Sequence, residues 1–264
     1  MTRRFLLATA GGAFVRARLP GSTGLFTASS INHLALTVPD VAKAGDFYAR
    51  VLGTRVISDM GERGQMRGLR RNYLALFKGE RAGLNHFSPG VDGLDEPGAG
   101  PVLSRHGYEP FERAPGIWAV LDPDGIQNHL SETMRRQDEV DEAYKKDPAP
   151  ESILRGVDVN HVALRVSDLG RSVEWYQALM GLRVARRSAS SAFLGLGGNF
   201  LALFAGQRAG TADHFCFSIE DYDPQSVRDK LARHGIESVQ REDRIYFKDL
   251  NGLTVQVSEE GHQP

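Results

Sequence analysis

The sequence predicts an α+β protein of two tandem domains, each made of two β-α-β-β-β units. Three observations predict it. A block of roughly a hundred residues occurs twice in one register. Each copy opens on an alternating strand that carries Asn-His. Each copy also echoes that opening 53 positions later, as Asn85-His86 or Asp213-His214.

Residues 1–28 stand outside the repeat. Arg3 and Arg4 precede an apolar segment, Phe5 to Val15, and Val15-Arg16-Ala17 is a passable small-residue cleavage site. The pattern resembles a twin-arginine export signal, although Phe5 follows the arginines directly and Arg16 and Arg18 come early. A periplasmic destination and a cytoplasmic one, with residues 1–28 as a disordered tail, are both open.

The first domain, residues 29–135, begins with Ile31-Asn32-His33-Leu34-Ala35-Leu36-Thr37-Val38. The second, residues 157–261, answers with Val159-Asn160-His161-Val162-Ala163-Leu164-Arg165-Val166. Asp168 is a good N-cap for a helix through Met180, and Gly181 suits its C-terminal stop. Trp175 and Leu179 share a face at i, i+4 spacing. Short strands follow around Val184, around Phe193 and from Phe200 to Phe204, and their counterparts include Asn72-Tyr73-Leu74-Ala75-Leu76-Phe77. The next unit starts at His214, continues as a helix from Asp223 to His234, and ends in strands near Ile245 and at Thr254–Val257. Its first-domain counterpart contains Pro97, Gly98, Gly100 and Pro101, which predict a short or irregular helix. His106 and His234, in Arg-His-Gly turns, read as helix-end residues. Residues 136–156, polar and containing Pro148 and Pro150, read as a linker, with the charged stretch from Arg135 to Asp147 as solvated chain or a helix face.

Composition bounds the partners. With 264 residues the chain can bury two cores, and 41% hydrophobic with 25% charged residues is a soluble globular balance. A net charge of -1, with scattered signs, offers no field for nucleic acid or a membrane surface. No apolar run reaches the roughly 18 residues of a membrane span. The single cysteine, Cys216, excludes an intrachain disulfide.

Strand alternation gives the histidines their meaning. His161, Ala163 and Arg165 share one face, as do His214, Cys216 and Ser218, and as do Thr254, Gln256 and Ser258. The opposite faces are large and apolar, suited to packing under helices. Imidazoles on the small polar face of a curved sheet make a plausible metal cage, and a core contact copied by duplication is the alternative.

The paired β-α-β-β-β units, with His on each first strand and a last strand after Asp122-Pro123-Asp124-Gly125, resemble the vicinal oxygen chelate (glyoxalase/bleomycin resistance/extradiol dioxygenase) superfamily. The resemblance spans nearly all of residues 31–260. It implies glyoxalase-like domains, each of two paired units forming one cupped mixed sheet, in which two histidines and a last-strand donor hold a divalent metal. Carried over, the second half offers His161, His214 and Gln256, and the first half His33, His86 and His129. His129 stands four positions after Gly125, as Gln256 stands four after Gly252. The family most often places Glu at this third position; Gln leaves the metal more weakly held.

The two-domain layout most resembles the extradiol dioxygenases, which implies ferrous iron, with zinc, manganese or copper as alternatives. Those enzymes commonly carry a tyrosine some ten residues before the last ligand, and Tyr246 stands ten before Gln256. It is the candidate catalytic residue, with simple packing in a strand as the alternative. Asn199 falls where they place a base histidine; it can contact substrate but cannot take a proton. Arg165 and Cys216 are further candidate substrate contacts, Cys216 being equally readable as a buried core thiol. The resemblance therefore implies a dioxygenase-like enzyme for a small phenolic or vicinal-oxygen substrate. A glyoxalase-type lyase or isomerase and a non-catalytic binding protein of resistance type are the alternatives. Each cup is complete within one chain, so a monomer suffices and a homodimer is also open.

Overall fold

The computed structural model describes residues 24–146 and 151–264, so Arg3, Arg4 and the apolar segment of the candidate export signal lie outside the described residues. In the first domain, β1 (Ala28–Val38) leads through α1 (Val41–Leu52) to β2 (Arg55–Asp59), β3 (Gly64–Gly68) and β4 (Tyr73–Lys78). Then β5 (Gly83–Val91) leads through α2 (Glu96–Arg105) to β6 (Phe111–Ala114), β7 (Ile117–Leu121), β8 (Gln127–His129) and the short β9 (Ser131–Glu132). After α3 (Gln137–Lys146), the second domain runs β10 (Gly156–Val166), α4 (Leu169–Met180), β11 (Arg183–Arg187), β12 (Ser191–Leu196) and β13 (Asn199–Ala205). It closes with β14 (Thr211–Ile219), α5 (Pro224–Arg233), β15 (Ser238–Arg241), β16 (Arg244–Lys248) and β17 (Thr254–Ser258).

The strand orders are β2-β3-β4-β1-β5-β8-β7-β6, with β9 on β5, and β11-β12-β13-β10-β14-β17-β16-β15. In each sheet the two unit-opening strands pair antiparallel at the centre. Each also pairs parallel with the last strand of its own unit, as in β1–β4 and β14–β17. This order sets the three strands expected to bear ligands side by side: β1, β5 and β8 in one domain, β10, β14 and β17 in the other.

The helices begin and end where their side chains dictate. Asp40 and Asp168 accept from the backbone N–H groups of Lys43 and Arg171, and Gly53 and Gly181 stop α1 and α4 at φ of 70° and 68°, where a side chain is strained. On α4 the buried stripe is Leu169, Ser172, Val173, Tyr176, Leu179 and Met180, with Trp175 at its margin. His106 and His234 are the C-caps of α2 and α5.

Helix α2 corrects an expectation. Despite Pro97, Gly98, Gly100 and Pro101, it is a ten-residue helix, as long as α5. Pro97 lies in the first turn, where no intrahelical N–H is needed. Pro101 removes the donor for the carbonyl of Pro97, and the indole Nε1 of Trp118 donates to that carbonyl at 3.2 Å instead. Gly100 lets the indole lie against the helix, since a Cβ there would be 2.4 Å from the ring.

Much of the 136–156 segment is also built into the fold. Val140 of α3 is buried, and the Tyr144 ring receives the guanidiniums of Arg55 and Arg70 at 5.6 and 5.4 Å. Ile153 and Leu154 donate backbone hydrogen bonds to the carbonyls of Arg50 and Val51 at the end of α1.

One apolar core runs through both domains, joining Leu34, Leu36 and Tyr48 to Val162, Leu164 and Tyr176. The seam is also held by polar exchange. Asn72 accepts from the backbone N–H of Val159 at 2.8 Å, and Asn199 accepts from that of Ile31 at 3.3 Å.

Candidate metal centres

In the first domain the sheet centre brings His33 from β1, His86 from β5 and His129 from β8 together, one ring nitrogen of each lying within 4.8 Å of the others. The Nε2 atoms of His33 and His86 are 2.8 Å apart, and Nδ1 of His129 is 3.4 Å from Nε2 of His86. His33 and His86 are each only 3% exposed.

The residue before each histidine fixes its ring. Asn32 donates through Nδ2 to the carbonyls of Glu132, Thr133 and Arg135 at 3.1–3.3 Å, so its oxygen must face His33 Nδ1, 2.8 Å away. Asn85 likewise donates to Thr37 Oγ1 at 2.9 Å and accepts from His86 Nδ1 at 2.8 Å. Both imidazoles therefore carry their proton on Nδ1 and point Nε2 lone pairs at each other. Two lone pairs at 2.8 Å repel unless a proton or cation lies between them. Burial, and then the neighbouring imidazoles, hold His33 and His86 well below the usual histidine range, which disfavours the proton. Burial brings His129 down to about 4, and its Nε2 is buried without a partner. Three neutral nitrogens converging in this way fit a divalent metal that accepts imidazole.

The second domain repeats the arrangement with different parts. Nε2 of His161 and Nε2 of His214 face each other at 3.2 Å. Asn160 accepts from His161 Nδ1 at 2.8 Å while donating to the carbonyl of His262 at 3.2 Å. Asp213 accepts from His214 Nδ1 at 2.8 Å, and Arg165 Nε donates to the other carboxylate oxygen at 2.7 Å. The hydrogen bond from His214 first, and then Arg165, hold Asp213 down at about 2. Burial lowers His161 well below its ordinary range. Gln256 is 1% exposed and its Nε2 is buried without a partner. The donor set suits the same class of metal, with one amide where the first domain has an imidazole.

Tyr246 lies opposite Gln256 in the β16–β17 register, its ring edge-on to His214 at 5.6 Å between centroids. The three candidate substrate contacts each have partners within the fold. Arg165 is not free at the rim, because its guanidinium is engaged by Asp213. Asn199 lies in the interdomain seam, donating to the Val159 carbonyl and accepting from Ile31, so its amide is spent. Cys216 is fully buried, its Sγ 3.3 Å from Ser258 Oγ, and burial pushes the thiol far up, which removes the thiolate a contact would use.

Other residues shape the cups without having been singled out. Tyr73 and Phe200 stack on His33 and His161 at 4.5 and 4.1 Å. Both lie at the start of strands whose alternate residues, Tyr73-Ala75-Phe77 and Phe200-Ala202-Phe204, cluster with Ala35 and Ala163. His262 brings its ring within 6.0 Å of His161 and buries an unpartnered Nε2. The recurring Asx-His dipeptide was the visible sign of ring locking; His262 had none, because its position is set by the bond from Asn160.

Fold and centres together define a two-cup protein with imidazole-rich candidate metal sites. Residues 30–146 and 158–257 match the model of the Glyoxalase/Bleomycin resistance protein/Dioxygenase superfamily, and the chain belongs to that superfamily. Among solved structures it is similar to the 2,3-dioxygenase LapB from Pseudomonas sp. KL28, with a TM-score of 0.70, 13% identity, and 90% and 95% of the two chains covered. It is also similar to homoprotocatechuate 2,3-dioxygenase from Arthrobacter globiformis, with a TM-score of 0.68, 19% identity, and 89% and 81% covered. At these identities the likeness shows the fold. In sequence it is 29% identical over 112 residues to metallothiol transferase FosB of Staphylococcus haemolyticus, a match covering 38% of this chain and 81% of that protein.

Proposed function

We propose that the chain is a metal-dependent, dioxygenase-like enzyme acting on a small phenolic or other vicinal-oxygen substrate, with a divalent metal in each cup. One observation carries the reading. In both domains two buried imidazoles aim Nε2 lone pairs at each other, at 2.8 and 3.2 Å, with each Nδ1 engaged by an Asx oxygen. His33, His86 and His129 hold one metal, and His161, His214 and Gln256 the other. Ferrous iron is the metal we assign, since it accepts such nitrogen and oxygen donors and supplies Lewis acidity together with one-electron chemistry towards dioxygen.

The reaction belongs to the second cup. There Tyr246 stands beside His214, and its phenol donates to a substrate oxygen. The matching position in the first domain is Ala119, which faces His129 in the β7–β8 register and offers no such group. Phe193, Phe200 and Phe204, clustered with Ala163 and Ala202, give an aromatic wall suited to a small ring.

The test is metal analysis of protein purified without chelators, beside His33→Ala and His214→Ala variants, with oxygen uptake on catechols by the ferrous protein. The wild type is expected to hold about two equivalents and each variant about one. Oxygen uptake should vanish with His214→Ala and persist with His33→Ala. A metal-free wild type overturns the reading.

A second reading is a metal-dependent transferase or glyoxalase-type lyase. It is favoured by Asn199, which supplies no base and is held in the seam, and by the likeness to the metallothiol transferases. Product analysis without oxygen consumption selects it. The reading extends to location: Arg3-Arg4 and the apolar segment after them direct export by the twin-arginine route, checked by N-terminal sequencing of periplasmic protein.

A further inference from the structure

The strand that delivers the third donor of each cup is launched by an Asp turn. Asp122-Pro123-Asp124-Gly125 leads into β8 and His129, and Asp249-Leu250-Asn251-Gly252 leads into β17 and Gln256. In each turn Oδ1 of the first Asp accepts two backbone N–H groups. These come from Asp124 and Ile126 at 2.9 and 2.8 Å, and from Asn251 and Leu253 at 2.8 Å each. The other oxygen is satisfied from across the seam. Tyr176 on α4 of the second domain donates to Asp122 Oδ2 at 3.0 Å, and Tyr48 on α1 of the first domain donates to Asp249 Oδ2 at 3.0 Å.

All four groups are buried, the tyrosines to 1% and 0% exposure and the aspartates to 5% each. A buried carboxylate that loses its only donor on one side must turn to find another, and the backbone of its turn moves with it. The donor strand follows within a few residues. We propose that Tyr176 and Tyr48 are positioning residues for the opposite domain's metal centre: Tyr176 sets His129, and Tyr48 sets Gln256. The proposal rests on the reading that the cups bind metal.

The two clasps differ in weight. β8 joins β5 through one register pair, Phe87 with Asn128, and β7 through three, among them Ala119 with His129, so the turn and β7 together place His129. β17 joins β14 through four pairs, Phe215 with Val255 to Ser218 with Ser258, which hold Gln256 independently. Tyr176 therefore carries more of its site than Tyr48 does.

The experiment isolates each cup by removing the other's second histidine. In a His214→Ala background, which leaves the first cup, and a His86→Ala background, which leaves the second, cobalt(II) is titrated and followed by its visible absorption. Tyr176→Phe is expected to weaken cobalt binding about tenfold in the first cup and to leave the second within about twofold. Tyr48→Phe should weaken the second cup about threefold and spare the first. Amide hydrogen exchange is run on the same proteins without metal. Exchange should quicken at residues 126–130 with Tyr176→Phe and at residues 253–258 with Tyr48→Phe.

Weakening of the variant's own-domain cup, or lowered thermal stability with both affinities unchanged, overturns the proposal. If neither cup binds cobalt in the unaltered chain, the metal reading has failed. The exchange pattern then decides the clasp alone, crossed quickening supporting it and uniform quickening refuting it. Should Tyr176→Phe not fold, Asp122→Asn weakens the same bond from the acceptor side; the first cup is then expected to weaken with the second spared, and an unchanged first cup overturns the proposal.

Discussion

Replacing Asn32 separates the two tasks its amide performs. The oxygen takes the Nδ1 proton of His33 at 2.8 Å and so directs Nε2 into the cup. The nitrogen donates to three carbonyls, those of Glu132, Thr133 and Arg135. Asn32→Ala removes both. Loss of a partner that orients a metal-binding imidazole typically costs 10- to 100-fold in affinity, about 1.4–2.7 kcal/mol. The carbonyls lie in a partly buried segment that water reaches, so losing the amide donor costs about 1 kcal/mol of stability. Asn32→Asp keeps the acceptor and removes the donors, so affinity should hold while stability falls. Asn160→Ala offers the control in the second cup: among the described residues its nitrogen donates to one carbonyl, that of His262 at 3.2 Å, so its metal penalty should be similar and its stability penalty smaller. Chelator-competition titrations give the affinities, and urea denaturation of metal-free protein gives the stabilities. Wild-type affinity in Asn32→Ala, within twofold, refutes the idea that the Asx oxygens lock the rings.

Two further expectations concern the rest of the fold. Metal-stripped protein should lose stability as the pH falls from about 6.5 towards 4. Burial lowers His129 to about 4 while the unfolded chain keeps an ordinary histidine near 6.5, so the unfolded state binds more protons in that window. His129 alone is worth about 3 kcal/mol by this linkage, His33, His86 and His161 act in the same direction, and the effect is absent above about pH 7. Urea midpoints that stay flat between pH 7.5 and 5 rule it out. Trp118→Phe keeps the ring against Gly100 and removes only the donor to the Pro97 carbonyl. It should cost about 1 kcal/mol and lower the melting temperature by about 2–4 °C; an unchanged melt means that water satisfies that carbonyl equally well.

The strands and helices that repeat were legible because duplication shows each one twice, with turn residues at matched places. The ligand-bearing strands were legible for the same reason, and alternation gave their faces. What could not be read was pairing across distance. Arg165 looked free on its strand because Asp213, its partner, lies 48 residues away. Asn199 was a candidate because the resemblance places a base histidine there, yet its amide reaches Ile31, 168 residues away, in the other domain. Helix α2 looked broken because local propensity counts Pro101 as a lost bond, and the indole that replaces it comes from β7. Alternation placed Cys216 correctly on the cup side, but it did not show that Ser258 and the neighbouring strands seal the thiol from the cup's opening.

The two copies share one part of the site and differ in the rest. Every unit-opening histidine has an Asx oxygen on Nδ1, from Asn32, Asn85, Asn160 or Asp213. Around that constant the second copy has Gln256 for His129, Tyr246 for Ala119, His262 for Arg135, and the pair Arg165–Asp213 for Thr37–Asn85. The substitutions compensate one another electrostatically. An amide is a weaker donor than an imidazole, but His214 has a carboxylate on Nδ1, a stronger orienting partner than the amide on His86. Arg165 in turn keeps Asp213 ionised, so that the carboxylate orients His214 without accepting its proton outright. The second cup thus gains at one histidine what it gives up at Gln256, and gains a phenol at its rim as well. A site drifting away from metal binding has no need of both changes. Their occurrence together supports the proposal that the second cup is the one that carries the chemistry.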